Sequence, residues 1–474
     1  MILYSFNMEL SNLNIFIPLR SNKGLIHNTL SQKTLLLNVN QFEKLKELKS
    51  SNKIESEIPF DFFLKLSKIK AITASAKGQI KNLKNSDFEI KQNNEKVMLT
   101  IMMTEGCNFG CKYCNQGLEK STGYVDEKLM KKISEYILNL DPLPKELEIT
   151  WYGGEPLLRS KEIIKSSTFL KNICSKNNIG YNSIMVTNGY FLNGQLSKDL
   201  YEAGVLISQI SIDGDKISHD ASRYVVEGKG TYEKIMNNIK SSLTSRMNIV
   251  IRVNTDKRNH KNLKNLIEDL HKKTILNSKY FSIYFAHVYD PKLNMLENQE
   301  NVDSTLLSHH EFAKIQFDMG NYVRELGGSI AIELPSNQGE CIASRKQSFA
   351  IRPDGSLFKC YIPIANPDES FGRIENIKDS MESATFKKWN SWSAFDHPNC
   401  SGCKLLGSCR GSCRFNYISN SYKNEEFKCP PSKYFTNEYI FQKAILDGLV
   451  KPHDWDNDKS KTKIDDLRFK PITI

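Results

Sequence analysis

Eleven cysteines occur in this 474-residue chain, and ten of them stand in two groups. Cys107, Cys111 and Cys114 share one short segment, while Cys341, Cys360, Cys400, Cys403, Cys409, Cys413 and Cys429 crowd the last third. A chain this long buries a core without a disulfide framework, so clustered thiols point to metal rather than to cross-links. Cys174 stands alone in a helical pattern and reads as a core thiol. Composition removes several classes. With 39% hydrophobic and 25% charged residues the chain is not globally disordered. The net charge of +11 comes without a concentrated basic stripe, so no nucleic-acid partner is expected. No run of ~18 apolar residues is present, and the N-terminal segment lacks a basic start followed by an apolar block. Neither a membrane partner nor secretion is expected, and the expected location is the cytoplasm.

Periodicity divides the chain. Residues 1–95 read as a small α+β module. Asn14–Ile17 and Thr34–Asn38 are strand-like. Asn40 with Glu43 resembles a capping box ahead of a helix over 41–49, and Phe62, Phe63 and Leu66 form a further helical face. The polar stretch 78–95 reads as a linker. From Lys96 strands and helices alternate. Strands are expected at 97–104, 147–151, 183–186, 209–212, 248–253 and 281–286. Asp126 caps the first intervening helix, and others are expected near 161–174, around Ile235 and Ile239, and near 263–270. Such alternation implies parallel β/α units, six of them, fewer than the eight of a closed barrel. Residues 327–435 are turn-rich and cysteine-rich. Residues 436–474 hold one helix, over 437–449, and a charged, mobile tail.

Cys107, Cys111 and Cys114 follow the first strand directly, where parallel β/α folds gather their chemistry. Three thiolates so spaced can hold three corners of a four-iron cube and leave the fourth iron without a protein ligand. A zinc loop is the alternative, but a structural zinc takes four ligands, and neither a His nor a fourth Cys is near in sequence. The spacing Cys-x3-Cys-x-aromatic-Cys, with Tyr113 as the aromatic, resembles the signature of radical S-adenosylmethionine (SAM) enzymes. In that family SAM chelates the open iron, and one electron cleaves it to a 5′-deoxyadenosyl radical that removes hydrogen from substrate. Gly153, Gly154, Glu155 and Pro156 look like the family's GGEP stretch. Glu155 is thereby expected to face the SAM ammonium. Thr187 and Asn188 after strand three, Ser211 and Asp213 after strand four, and Asn254 after strand five match its SAM-contacting strand ends. Arg223 is expected to meet a carboxylate. The resemblance spans about 96–326 and implies a partial (β/α)6 radical SAM barrel.

In the later group, thirteen residues separate Cys341 from Gly355 and four separate Gly355 from Cys360. Then comes Cys400-x2-Cys403-x5-Cys409-x3-Cys413, with fifteen residues before Cys429. This is similar to the SPASM domain that follows the radical SAM core in many peptide-modifying enzymes. Seven thiolates exceed one tetrahedral site; they suit two four-iron clusters with one ligand missing, or a zinc pair. The resemblance implies one auxiliary cluster on Cys400, Cys403, Cys409 and Cys429, and another on Cys341, Cys360 and Cys413. The second either keeps an open iron or takes another residue. Three [4Fe-4S] clusters and SAM are thus the expected cofactors.

The N-terminal module loosely resembles a leader-peptide recognition element, which adds its ligand to a sheet as a strand. The leading expectation is a maturase of a ribosomally made precursor peptide with a leader, forming a crosslink, a Cys thioether above all. A flavodoxin or ferredoxin is the expected electron donor. Carbon–carbon crosslinking is one alternative. Another is formylglycine formation by an anaerobic sulfatase maturase, against which stand Tyr361, where those enzymes carry an Asp after the cysteine, and the long N-terminal module. A non-catalytic metal-binding adaptor is the non-enzymatic alternative.

Overall fold

The computed structural model describes residues 3–4, 8–51, 58–111, 113–114, 116, 122–288, 305–331, 341–418 and 428–470. Six parallel strands run through its centre in chain order: β1 Lys96–Thr104, β2 Glu146–Gly153, β3 Gly180–Thr187, β4 Val205–Ser211, β5 Asn248–Thr255 and β6 Phe281–His287. Strand β2 shows why they form. Leu147, Ile149 and Trp151 are wholly buried on one face, while Glu148, Thr150 and Tyr152 alternate onto the other. The buried face meets helices α1 Glu127–Leu138, α2 Ser160–Lys176, α3 Gly194–Glu202, α4 Tyr232–Ser242 and α5 Leu263–Lys272. Asp126 caps α1 as expected, accepting from the Leu129 amide at 2.7 Å. Cys174 lies buried in this core, as its helical pattern implied.

The sheet does not stop at the expected boundary near 327. Strand β7 Phe349–Ile351 pairs parallel to β1, and β8 Ser356–Phe358 and β9 Gly372–Arg373 follow antiparallel. The nine strands lie in the order β6-β5-β4-β3-β2-β1-β7-β8-β9. The segment holding Cys341 and Cys360 is therefore hydrogen-bonded to the strand that launches the first cysteine loop.

The N-terminal module is a three-stranded antiparallel sheet, Asn14–Pro18, Gly24–Asn28 and Lys33–Leu37, with helices Val39–Ser51 and Phe60–Lys68. Ile26, Leu37, Phe42, Leu45 and Leu66 fill the space between sheet and helices. Ile15, Ile17, Leu19 and Leu25 pack against Cys403, Leu405, Ile440, Phe441 and Leu467, so the sheet is covered on both faces. Among the described strands, Lys33–Leu37 is paired on one side only.

Three expectations are corrected. Residues 78–95 are not a linker: Ala76–Gln92 is a helix, capped by Ser75, whose side chain accepts from the Gly78 amide. Ile80 and Leu83 pack on Ala394, Phe395 and Leu406, and Asp87 pairs with Arg410 at 3.3 Å. Lys77, Lys81, Asn82, Asn85 and Glu89 face water, and the apolar stripe meets a partner some three hundred residues later. The capping pair sits two residues earlier than read. Asn38 and Gln41 bond reciprocally, Gln41 N to Asn38 Oδ1 at 2.9 Å and Asn38 N to Gln41 Oε1 at 3.1 Å. The charged tail is folded: Leu467 is buried, Trp455 packs 4.8 Å from Phe441, and the Ser460 hydroxyl donates to Pro18 O. Among the described residues no helix is long and apolar enough to cross a membrane.

Because Ile80 fills a buried site, Ile80→Ala should lower folding stability by about 2–5 kcal/mol. Urea denaturation reads this, and a neutral outcome would restore the linker reading.

Candidate functional site

The first cysteine loop is anchored from both ends. The Thr104 hydroxyl donates to Gly123 O at 3.0 Å and accepts from the Gly106 amide at 3.1 Å. Within the loop the Phe109 amide points at Cys107 Sγ, 3.4 Å away, and the Cys114 amide donates to Cys111 O. The end of β2 presses on this backbone: Gly154 N donates to Thr104 O and Glu155 N to Gly106 O, both at 2.8 Å. A Cβ at Gly154 would lie 2.2 Å from Gly106 O, so the approach requires glycine. Gln116 donates to Gly153 O at 2.9 Å and closes the loop from the other side.

Glu155 has no exposed surface. Its carboxylate accepts from Thr187 Oγ1 at 2.6 Å, the Asn188 amide at 2.7 Å and the Leu157 amide at 2.9 Å. Burial pushes its pKa up, while these bonds resist. Pro156, also buried, opens the short turn that carries Leu157. Asn188 in turn donates to Asn108 Oδ1 at 2.8 Å. The GGEP stretch, Thr187–Asn188 and the cysteine loop thus form one bonded unit.

A second unit gathers Tyr113, Asp213, Arg223 and Asn254. The Tyr113 hydroxyl donates to Asp213 Oδ2, and Arg223 donates to the Tyr113 oxygen. Asn254 donates to Asp213 Oδ1 at 3.0 Å, and Arg223 lies 3.9 Å from Asp213 Oδ2. Burial works against the Arg223 charge, but Tyr113, Asp213 and Cys111 outweigh it and hold its pKa above the usual value. Cys111 is pushed up by burial, opposed by Arg223. Ser211 ends β4 in register with Arg252, beside this unit.

His219 was missed at the sequence level, as were Asn108, Gln116, Thr231 and Asn259, which donates to Asn254 O at 2.7 Å and Asp213 O at 3.3 Å. The His219 Nδ1 accepts from the Asp213 amide at 3.2 Å, and Nε2 meets Thr231 Oγ1 at 3.0 Å. Thr231 Oγ1 donates its own proton to Arg223 O at 2.9 Å, so Nε2 carries the ring proton. Burial, with help from Arg223, lowers the His219 pKa to about 4. Asn108 and Gln116 had a findable signal, since they sit inside the cysteine segment; His219 had none.

The later cysteines form two sets. Cys341, Cys360 and Cys413 lie with Ala343, Trp389, Trp392, Phe415 and Ile418 in one apolar cluster. Burial pushes Cys360 well up and Cys413 to about 11. Cys400, Cys403, Cys409 and Cys429 line a single cavity with Tyr417 and Lys433. Lys433 Nζ donates to Cys429 Sγ at 3.3 Å, and the Tyr417 hydroxyl lies 3.6 Å from Cys400 Sγ. Among the described residues no three His, Cys, Asp or Glu side chains close on a single ion. Each set offers thiols alone, a donor chemistry that suits a [4Fe-4S] cluster. Burial holds the Tyr152 phenol above its usual pKa, with smaller contributions from Cys114 and Cys360, and its ring stands 5.4 Å from that of Tyr361.

Protonating His219 would place a second hydrogen against the Asp213 amide. Its folded pKa lies below the unfolded 6.5, so its contribution is present above about 6.5 and is lost as pH falls towards 4. The loss should reach roughly 3 kcal/mol. Buried His27 behaves alike. Chemical denaturation of the wild type and His219→Gln at pH 7 and pH 4.5 isolates the term: the difference between the two proteins should shrink on acidification.

Comparison with known proteins agrees with this geometry. Residues 101–270 match the radical SAM superfamily. The cysteine-type anaerobic sulfatase-maturating enzyme of Clostridium novyi is 26% identical over 367 residues, covering 72% of this chain and 95% of that one. The radical SAM cyclopropyl synthase TigE of Paramaledivibacter caminithermalis is 24% identical over 356 residues, 69% of each. Among solved structures, native anSMEcpe with bound AdoMet shares the fold with a TM-score of 0.57 at 19% identity, over 74% of this chain and 97% of that one. With the cysteine loop and strand ends assembled as described, the chain carries a radical SAM domain over residues 101–270.

Proposed function

We propose that the chain modifies a peptide, using SAM and a [4Fe-4S] cluster held by Cys107, Cys111 and Cys114. The observation that carries the reading is Tyr152. It lies at the end of β2, whose last residues are bonded to the first cysteine loop, and its ring stands 5.4 Å from that of Tyr361, the neighbour of Cys360, so a substrate beside the two rings would have both cysteine regions as neighbours. The relative named for maturing a sulfatase supports a polypeptide substrate. When bound, the cofactor pair supplies a 5′-deoxyadenosyl radical.

The chain's own residues do the rest. Arg223 offers a guanidinium to the SAM carboxylate, while Tyr113, Asp213 and Asn254 hold it in place. Glu155 acts chiefly by fixing the ends of β2 and β3, because its oxygens already serve Thr187, Asn188 and Leu157. Cys400, Cys403, Cys409 and Cys429 would hold one auxiliary cluster, and Cys341, Cys360 and Cys413 another. The latter leaves a corner for a substrate thiolate, which favours thioether formation. Residues 96–326 would be the radical SAM core, drawn as a partial (β/α)6 barrel, and 327–435 the auxiliary-cluster domain. The module 1–95 would take a leader as a fourth strand beside Lys33–Leu37, whose outer side no described strand pairs. A small one-electron carrier would supply the reducing electron.

A second reading, formylglycine formation on a sulfatase, is favoured by the match to 95% of a sulfatase-maturating enzyme. Against it stand Tyr361, where an acid would serve as base, and the N-terminal module.

Reconstituted, reduced protein should release 5′-deoxyadenosine from SAM, and Cys111→Ala should abolish release. Cys360→Ala should retain some release yet form no product. Full product yield in Cys360→Ala would remove the auxiliary site from the chemistry. Removing residues 1–90 should weaken leader affinity at least tenfold by calorimetry; unchanged affinity would leave the module a scaffold.

A further inference from the structure

The segment that carries Cys400, Cys403 and Cys409 has little secondary structure of its own. Helices Pro398–Ser401 and Leu406–Cys409 are single turns. Between Cys409 and Cys413 the chain runs through Arg410, Gly411 and Ser412 at φ of 46°, 86° and 52°. A left-handed Arg and Ser persist only where the surroundings hold them. The C-terminal tail supplies part of that hold, Lys404 N donating to Leu467 O at 2.8 Å. Residues 1–95 supply much of the rest. Cys400 and Leu406 pack with Leu13, Ile80 and Leu83, and Cys403 and Leu405 pack with Ile15, Ile17, Leu19 and Leu25. The Arg410 guanidinium meets Asp87 at 3.3 Å. The closest approach is at Thr29, which is 1% exposed and donates its hydroxyl to Lys404 O at 2.5 Å. A Cβ on Gly407 would stand 2.7 Å from both Thr29 Oγ1 and Leu30 N, so the cysteine segment lies on this turn with no room for a side chain. Buried Asn28 builds the turn: its Nδ2 donates to Asn14 Oδ1 and Lys70 O, both at 2.9 Å, and its Oδ1 accepts from the Leu30 and Ser31 amides, both at 3.2 Å. Thr29 N donates to Leu13 O at 3.1 Å. Thr29 is thus fixed by its own module.

A four-iron cube takes its thiolates in one arrangement, and ordering an irregular segment for that purpose costs conformational entropy. We propose that the N-terminal module is a structural part of the four-cysteine site, with Thr29 as a positioning residue that sets the span from Cys403 to Cys409 for its cluster. The hydroxyl bond fixes the carbonyl of the residue after Cys403, and the close approach fixes the backbone two residues before Cys409. The apolar cluster about Cys341, Cys360 and Cys413 draws on residues between 343 and 418 instead. The turn that carries Thr29 also leads into Lys33–Leu37, the strand proposed to take a leader, so one hairpin serves both tasks. The inference rests on the cluster assignment proposed above.

The test uses full-length enzyme reconstituted anaerobically with iron and sulfide. Metal analysis and electron paramagnetic resonance of the dithionite-reduced protein establish loading. Cys409→Ala and Cys413→Ala identify the signals of the four-cysteine and three-cysteine sites. A Cys409→Ala protein with undiminished iron and every signal would sink the cluster assignment itself. Thr29→Val keeps the side-chain shape and removes the donor. In that variant an iron chelator should strip the four-cysteine site about fivefold faster than in wild type, the size of one buried hydrogen bond. The three-cysteine signal should decay at the wild-type rate, and Thr29→Ser, which retains the hydroxyl, should restore slow stripping at the four-cysteine site. Gly407→Ala should lose about four iron per chain, and the signal it lacks should be the one absent from Cys409→Ala. Unchanged stripping in Thr29→Val overturns the proposal, as do equal acceleration at both sites and a Thr29→Ser protein as labile as Thr29→Val. Full iron with an unaltered four-cysteine signal in Gly407→Ala overturns it as well. Where Gly407→Ala fails to fold, the contrast between Thr29→Val and Thr29→Ser decides.

Discussion

The carboxylate of Glu155 is the joint on which the active end of the sheet depends. It lies in the interior with no exposed surface and takes three donors, two of them from the end of β3 and one from its own turn. An acidic group placed there would be costly if any donor were missing. With all three present it fixes β2 against β3. Through Gly154, and through Asn188 to the Asn108 side chain, it also steadies the cysteine loop. The positions of Cys107, Cys111 and Cys114 follow from strand geometry and not from their own loop alone.

The Tyr113–Asp213–Arg223–Asn254 unit stands on a similar support. His219 and Thr231 hold Asp213 and Arg223 by their backbones, leaving the charged ends of both side chains to each other and to Tyr113. The neutral state of His219 matters to this, because its Nδ1 must accept rather than donate. Electrostatics near the first cysteine site is therefore set by a ring that carries no charge.

Much of this was legible in the sequence, and the exceptions share a cause. Strands β1 to β6 were readable because their apolar residues alternate or run continuously, a local property. Strand-end residues were readable because turn chemistry follows each strand. The helix Ala76–Gln92 was not, because its Lys, Asn and Gln residues dominate the composition while Ile80 and Leu83 find their partners only after folding. Arg414 and Lys359 were passed over for a related reason. Such side chains are rarely buried, and only the assembled interior reveals that these two are. His219 acquires its role from three contacts, none visible as a spacing. Tail residues Trp455 and Leu467 were hidden among charges in the same way.

The pairing of β7 with β1 has a mechanical meaning. Two lobes connected by a loop can swing apart, but two lobes sharing one ladder of backbone bonds can separate only by tearing it. The helix Ala76–Gln92 and its ion pair with Arg410 tie the N-terminal sheet into the same rigid frame. The strand that launches the first cysteine loop is thus also the strand against which the segment between Cys341 and Cys360 is laced.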